Sequence, residues 1–250
     1  DASNTADEQT AQAGMHHDGM HVFPLGEDGQ RALLVLNHEY TDEHLLHPDG
    51  ATPPTSAKAR KSQHAVGVSV IEIARDPTGW RQVLPSRYAR RIHANTPMAL
   101  SGPAAGSRLL QTSLDPSGRA VLGTLANCAM GVTPWGTYLT CEENFHGYFG
   151  ADKGAGASPD AAARRYGTVA GGQWVDWYRF DERFDLLKHP NEPHRFGWVV
   201  EIDPMDPTST PVKRTALGRK CTESATCRLT ADGRVAVRSE ERRVGKECTI

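Results

Sequence analysis

The sequence predicts an all-β protein, either a β-propeller or a β-sandwich. Runs of about four to seven apolar or alternating residues recur along the chain, and turn signals rich in Asp and Gly separate them. No helical periodicity is sustained over three turns. Side chains with oxygen or sulfur donors follow several of these runs at positions far apart in the chain. A propeller accounts for that spacing best, because blades distant in sequence direct their inner edges to one axis.

The composition describes a soluble globular protein. The chain has 250 residues, is 38% hydrophobic and has a net charge of −2, with 28 Lys and Arg balanced by 30 Asp and Glu. This balance argues against a nucleic-acid-binding surface, and no apolar run approaches the roughly 18 residues of a membrane span. The five cysteines are too few for a disulfide framework and form no C-x-x-C pair. The chain starts without Met, so we expect that an N-terminal segment, and with it an export signal, has been removed or not captured.

The first donor-rich segment spans residues 15–24. His16, His17, Asp18 and His21 lie within six residues, and Gly19 permits a tight turn between them. This pattern fits metal ligation. It also fits a polar loop whose histidines bond the neighbouring backbone.

A second run leads directly to a carboxylate. Residues 32–36 are all apolar and predict a buried strand, which ends in Asn-His-Glu-Tyr at 37–40 and so delivers Glu39. The proline-containing segment 40–61 is predicted to be a loop. Residues 66–84 predict a hairpin turning at Asp-Pro-Thr-Gly, with a bulge or a twist where the alternation of its first strand shifts phase.

The middle of the chain supplies a cysteine. Residues 108–112 and 120–125 predict short strands, and residues 126–131 predict a strand end that carries Cys128 beside Asn127. A buried cysteine is most often a small apolar side chain, so Cys128 alone is a weak signal.

The densest donor segment spans residues 133–148. Residues 135–140 predict a strand entered through a Pro-Trp-Gly bend, and this strand ends in Cys141, Glu142 and Glu143. A strand that delivers a thiol and two carboxylates to a loop is a common way to build a metal site. Solvated acids at a strand end are the alternative.

The last part of the chain predicts a helical turn and more strands. The helical turn covers residues 161–164, and strands cover 174–180, 197–203 and 235–237, the last after a turn at 231–234.

Four of these segments together resemble the PhoX family of alkaline phosphatases. They are His-Asp-Gly-Met-His at 17–21, Asn-His-Glu-Tyr at 37–40, Asn-Cys-Ala at 127–129, and the segment 133–144. They occur in the family's order, and the similarity extends over residues 1–237. The resemblance implies a periplasmic or secreted enzyme that hydrolyses small phosphomonoesters on a β-propeller, with Ca²⁺ and Fe³⁺ as cofactors. A metal-bound oxygen or a water would attack phosphorus.

The resemblance also assigns metal ligands. Glutamates and a cysteine hold the metals in that family, and Cys128 matches the thiolate ligand better than Cys141 does. The residues assigned to the metal site are Glu39, Cys128 and Glu223, followed by Glu142, Glu143, Cys141 and Asp18.

The chain departs from the family pattern in three ways. It is much shorter than family members. Lys-Cys-Thr-Glu at 220–223 replaces Phe-Lys-His-Glu, and residues 238–250 form a charged, atypical tail. We therefore expect residues 1–237 to be part of one incomplete propeller phosphatase domain that is poorly stable and weakly active alone.

Two other functions fit the residues. One is a calcium-dependent propeller hydrolase of the lactonase or phytase type, and the other is a non-enzymatic propeller that binds partners. Iron together with calcium in a metal assay would favour the phosphatase, and calcium alone the first alternative.

Overall fold

The computed structural model describes residues 1–171 and 173–239, and most of its regular structure is β-strand. The first sheet has five strands in the order β1-β2-β3-β4, with β5 also paired to β3, and all its pairs are antiparallel. Its strands are β1 (His17–Pro24), β2 (Arg31–His38), β3 (Gly67–Asp76), β4 (Gly79–Gln82) and β5 (Arg90–Ile92).

The second sheet has six strands and the third has two. The second sheet comprises β6 (Pro97–Ser101), β7 (Ala120–Leu122), β8 (Asn127–Val132), β9 (Tyr138–Glu142), β10 (Val199–Ile202) and β11 (Val212–Arg214). Its order is β7-β6-β11-β10-β9-β8, and only the pair of β6 with β11 is parallel. The third sheet is the hairpin of β12 (Thr226–Leu229) and β13 (Val235–Arg238). The prediction of an all-β protein is confirmed in its coarser form, because β-strand is the main regular structure of the described residues.

The described residues contain four α-helices, and one segment predicted to be a loop contributes to two of them. The four are α1 (Ala6–Gln9), α2 (Glu43–Leu46), α3 (Ser56–Ala65) and α4 (Ala161–Arg165). Of these, α2 and most of α3 lie within 40–61. Thr55 caps α3 by accepting a hydrogen bond from the Lys58 N–H at 3.2 Å. The buried face of α3 includes polar residues such as Lys61 and Gln63, so it gives no apolar periodicity to detect.

Four other local predictions are corrected. Segments 108–112 and 174–180 are not strands, because they contain the 3-10 helices Arg108–Leu110 and Trp177–Arg179. The strand predicted at 135–140 is shifted and covers Tyr138–Glu142. The β2–β3 ladder runs in one continuous register, so β3 has no bulge against β2. The other 3-10 helices are Phe145–Tyr148, Glu182–Phe184, Glu192–Arg195 and Thr215–Leu217.

The main apolar core joins the first two sheets. Val35 and Val68 from the first sheet belong to the same buried cluster as Tyr138 and Val200 from the second. This packing brings the ends of β1, β2 and β8 close together. No helix in the described residues is long and apolar enough to cross a bilayer. From residue 240 onward, the predicted atypical tail lies outside the described residues.

Candidate metal centre

Three side chains that can bind a metal converge between the first two sheets. Asp18 from β1, Glu39 from the residue after β2 and Cys128 from β8 each place a ligand atom within 4.8 Å of the other two. The Cys128 thiol also donates a hydrogen bond to Asp18 Oδ2, with an S···O distance of 3.6 Å. These three residues are called the Asp18 cluster below.

A β-bulge in β1 directs Asp18 to the cluster. His17 pairs with His38 and Met20 with Leu36, so β1 has one more residue than β2 in this interval. Asp18 and its neighbour Gly19 therefore face Asn37 together. Bulges re-aim side chains and are frequent beside functional sites.

A second bulge of the same kind directs Cys128. Asn127 pairs with Glu142 and Met130 with Thr140, so β8 also has one extra residue, and Cys128 and Ala129 together face one residue of β9. The two bulges touch. A Cβ added to Gly19 would lie 2.8 Å from both the Ala129 carbonyl carbon and the Met130 nitrogen, so only glycine permits this approach.

Each bulge is preceded by a residue in the left-handed region. His16 has a φ of 49° and lies two residues before Asp18, and Ala126 has a φ of 51° and lies two residues before Cys128. Such conformations are costly for residues other than glycine and cluster at functional sites. Backbone hydrogen bonds hold both: the Glu39 N–H donates to His16 O at 3.1 Å, and the Glu143 N–H donates to Ala126 O at 3.0 Å.

The buried Asn37 carboxamide ties the two bulges together. It lies opposite the bulge in β1, and its Nδ2 donates to the backbone carbonyls of Cys128 and Ala129 in the other. Its Oδ1 accepts hydrogen bonds from the Tyr138 and Thr140 hydroxyls, both at 3.0 Å. Asn37 therefore positions the cysteine backbone relative to the strand that leads to the glutamate.

The cluster concentrates negative charge. Burial first, and then the neighbouring carboxylates of Asp18, Glu143 and Glu223, together raise the pKa of Glu39 to about 7, against a hydrogen bond from the Asn144 side chain. Burial, followed by the nearby acids, also raises the pKa of the Cys128 thiol far above its usual range. A bound cation reverses this effect, because it favours the charged form of every group around it.

The donor set fits the metals that the resemblance implies. Thiolate suits iron and other transition metals, whereas Ca²⁺ takes oxygen ligands. Cys128 with Asp18 and Glu39 therefore fits Fe³⁺, and the carboxylates around it, Glu143 and Glu223, fit Ca²⁺.

The structure separates Glu142 from this group. Its Oε1 lies 2.7 Å from Lys213 Nζ, and its Oε2 accepts the N–H groups of Gly197 at 3.0 Å and Trp198 at 3.1 Å. Glu142 is fully buried and engaged in this ion pair. Its assignment to the metal site is corrected to a structural position, whereas Glu143 remains beside the cluster.

Cys141 is also directed away. It is fully buried and packs with Leu139, Val199 and Ala225 in a separate small core under the β12–β13 hairpin. Residues two apart on a strand share a face, which is why Cys141 follows Leu139. Its assignment as the second-choice thiolate ligand does not fit this position.

The chain is similar to alkaline phosphatases of one family. The family model described as alkaline phosphatase PhoX matches residues 1–245. A solved structure, Pseudomonas fluorescens PhoX in complex with vanadate, a transition state analogue, is 50% identical and superposes with a TM-score of 0.92. The match covers 96% of this chain and 41% of that one, so the chain spans about two fifths of that protein's length. No curated protein matches the chain.

Proposed function

Because this chain belongs to the PhoX family of alkaline phosphatases, we propose that it takes part in the metal-dependent hydrolysis of phosphomonoesters. The observation that carries the proposal is the Asp18 cluster, which unites two carboxylates and a thiol from separate sheets. The similar Pseudomonas protein binds vanadate, described there as a transition-state analogue. Small phosphomonoesters are the proposed substrates.

We propose Fe³⁺ and Ca²⁺ as the cofactors, with Asp18, Glu39 and Cys128 holding iron. Bound ions of this kind supply positive charge that stabilises the phosphoryl oxygens in the transition state. Glu143 and Glu223 are proposed as further carboxylate ligands, because both lie near enough to Glu39 to raise its pKa.

The chain's own residues hold the three ligand side chains of the Asp18 cluster in position. The two bulges orient Asp18 and Cys128, and Asn37 keeps them in register across the two sheets. Preorganised ligands reduce the entropy lost when an ion and a phosphoryl group are bound. We further propose that the sheets form part of a β-propeller and that the protein is periplasmic or secreted, both from the family resemblance.

The test replaces the central carboxylate. We expect Glu39→Gln to lower phosphomonoesterase activity by more than about 100-fold and to reduce bound metal, because an amide is a weak ligand. Activity and metal content are measured on the natural protein that contains this chain, at whatever length its gene encodes. Glu27→Gln is the matched control, since Glu27 is exposed in the turn between β1 and β2. Wild-type activity and metal content in the Glu39 variant would contradict the site.

The metal content also separates the alternatives. A calcium-only hydrolase of the lactonase or phytase type would contain no iron, and the thiol of Cys128 does not suit such a site. A non-enzymatic binding module would keep its function when Glu39 and Cys128 are substituted, and would show no phosphatase activity dependent on Ca²⁺.

A further inference from the structure

A cavity of about 380 Å³ adjoins the Asp18 cluster on the side of β2. Glu39 lines it, so the cavity and the cluster share a carboxylate residue. Its other walls include Tyr40, Tyr148 and Trp174, three aromatic side chains, and Glu43. An aromatic cavity beside a reaction centre is a typical place for the organic part of a substrate.

Tyr40, on one wall of the cavity, is held in place by His16, whose backbone supports the cluster. Tyr40 is 44% exposed as a residue, and its ring stacks on His16 with a centroid distance of 3.8 Å and an interplanar angle of 15°. His16 precedes the bulge that orients Asp18, and its carbonyl accepts the Glu39 N–H. Tyr40 is therefore held beside the cluster and remains partly exposed to solvent.

The Trp174 wall is fixed independently. Trp174 is 56% exposed as a residue, and its backbone N–H donates to Gly147 O at 2.7 Å. A Cβ at Gly147 would lie 2.4 Å from Trp174 Cδ2, so the ring lies directly on glycine backbone. The ring also meets Tyr148 and His146 edge-on, at centroid distances of 6.1 and 5.7 Å. Two large aromatic side chains are thus presented to the cavity in defined orientations.

The cavity also has an acidic wall, formed by Glu43, whose carboxylate is hydrogen-bonded to neighbouring side chains. Glu43 Oε1 accepts hydrogen bonds from the hydroxyls of Thr41 at 2.5 Å and Ser62 at 2.6 Å, and its Oε2 lies 3.0 Å from His47 Nε2. Glu43 therefore places a carboxylate at one polar edge of the cavity. This edge disfavours an anionic occupant, and the aromatic walls suit a neutral flat ring.

We propose that this cavity holds the leaving group of the phosphomonoester, and that Tyr40 and Trp174 make the site prefer neutral aromatic alcohols. The inference rests on the proposed hydrolysis at the Asp18 cluster. In that reaction the oxygen of water forms a new bond to phosphorus and the bond from phosphorus to the ester oxygen breaks. The phenolic oxygen takes a proton from water, so the products are a phenol and inorganic phosphate. A phosphoryl group held by the metal ions proposed at the Asp18 cluster would leave its aryl ring beside the two aromatic walls, because Glu39 belongs to both the cluster and the cavity.

The experiment compares phenyl phosphate with glycerol 2-phosphate in the natural protein that contains this chain. We expect Trp174→Leu to lower the ratio of kcat/KM for phenyl phosphate to that for glycerol 2-phosphate by about two- to tenfold, the range of one aromatic contact. Tyr40→Leu on the opposite wall should lower the same ratio independently, and Trp174→Phe should restore most of it. Trp80→Leu is the matched control, because Trp80 is 50% exposed on β4 and does not line the cavity.

Each outcome decides between the inference and the function on which it rests. Wild-type protein that hydrolyses neither ester overturns both. Wild-type hydrolysis of both esters, with an unchanged ratio in the Trp174 and Tyr40 variants, overturns the leaving-group site alone. A Trp174 variant that loses both activities equally shows a structural effect, and the Tyr40 variant then decides. A lowered ratio with bound metal retained supports the leaving-group site.

Discussion

Replacing Asn37 by alanine tests whether the two bulges form one unit. The substitution leaves the carbonyls of Cys128 and Ala129 without their side-chain donor, and the Thr140 hydroxyl without its acceptor. Tyr138 keeps Gly19 O, 2.8 Å from its hydroxyl. Three polar groups at about 1 kcal/mol each predict a loss of about 3 kcal/mol in the free energy of unfolding.

The assay combines denaturant unfolding of the full chain with its iron and calcium content after dialysis. Asn191→Ala is the matched control, because Asn191 Nδ2 also donates to two backbone carbonyls, those of Arg108 at 3.2 Å and Gln111 at 3.0 Å. These bonds are exposed to solvent, so their loss should cost less than about 1 kcal/mol. We expect only the Asn37 variant to lose metal.

Two results would refute this reasoning. A loss below about 1 kcal/mol in the Asn37 variant would mean that the bulges hold their shape without the carboxamide. A loss near the expected size with unchanged metal content would mean that Asn37 supports the sheets but not the cluster.

The remaining predictions concern buried charges of the second sheet. Glu142→Gln leaves the buried ammonium of Lys213 without its counter-ion and should lower the free energy of unfolding by about 3 kcal/mol. The metal content should stay normal, and denaturant unfolding together with a metal assay measures both results. Burial acts to raise the pKa of Glu201, but hydrogen bonds from donors including Thr137 and Arg214 together hold it below its ordinary value of 4.5. Its stabilisation is therefore complete above that value and is lost as pH falls through the lowered pKa. The free energy of unfolding, measured between neutral and acidic pH, should therefore fall less steeply with pH in Glu201→Gln than in the wild type. An identical pH dependence in the variant and the wild type would contradict this.

The sequence predicts a cluster residue most clearly where an apolar strand leads directly to a donor side chain. The apolar run at 32–36 forms the interior of β2 as predicted, and Glu39 follows the end of that strand. Asp18 and Cys128 were identified by the motifs around them, and their bulges were not. A bulge adds one residue to a strand, and the polar segments around Asp18 and Cys128 have no clear alternation in which an extra residue would be visible.

The different roles of Glu142 and Glu143 depend on partners that are distant in the sequence. Glu142 and Glu143 are adjacent carboxylates, and nothing local distinguishes them. Lys213 of β11, 71 residues later, donates a hydrogen bond to Glu142, while Glu143 lies beside the cluster. A buried cation far along the chain gives no signal at the position of its partner. The same limit hid Asn37, whose role depends on carbonyls more than ninety residues away.

The extra residue in β1 and in β8 makes the site sensitive to chain length. Removing one residue from each strand would restore an uninterrupted ladder with both neighbours and give more regular sheets. It would also leave one residue in each strand where Asp18 and Gly19, or Cys128 and Ala129, now lie together, so the donor side chains would be lost or re-aimed and the carboxylate would no longer meet the thiol. The two strands thus give up regular backbone pairing to keep their donors together. Insertions and deletions in these short intervals are therefore more damaging to metal binding than most substitutions there, even where they leave a better-formed sheet.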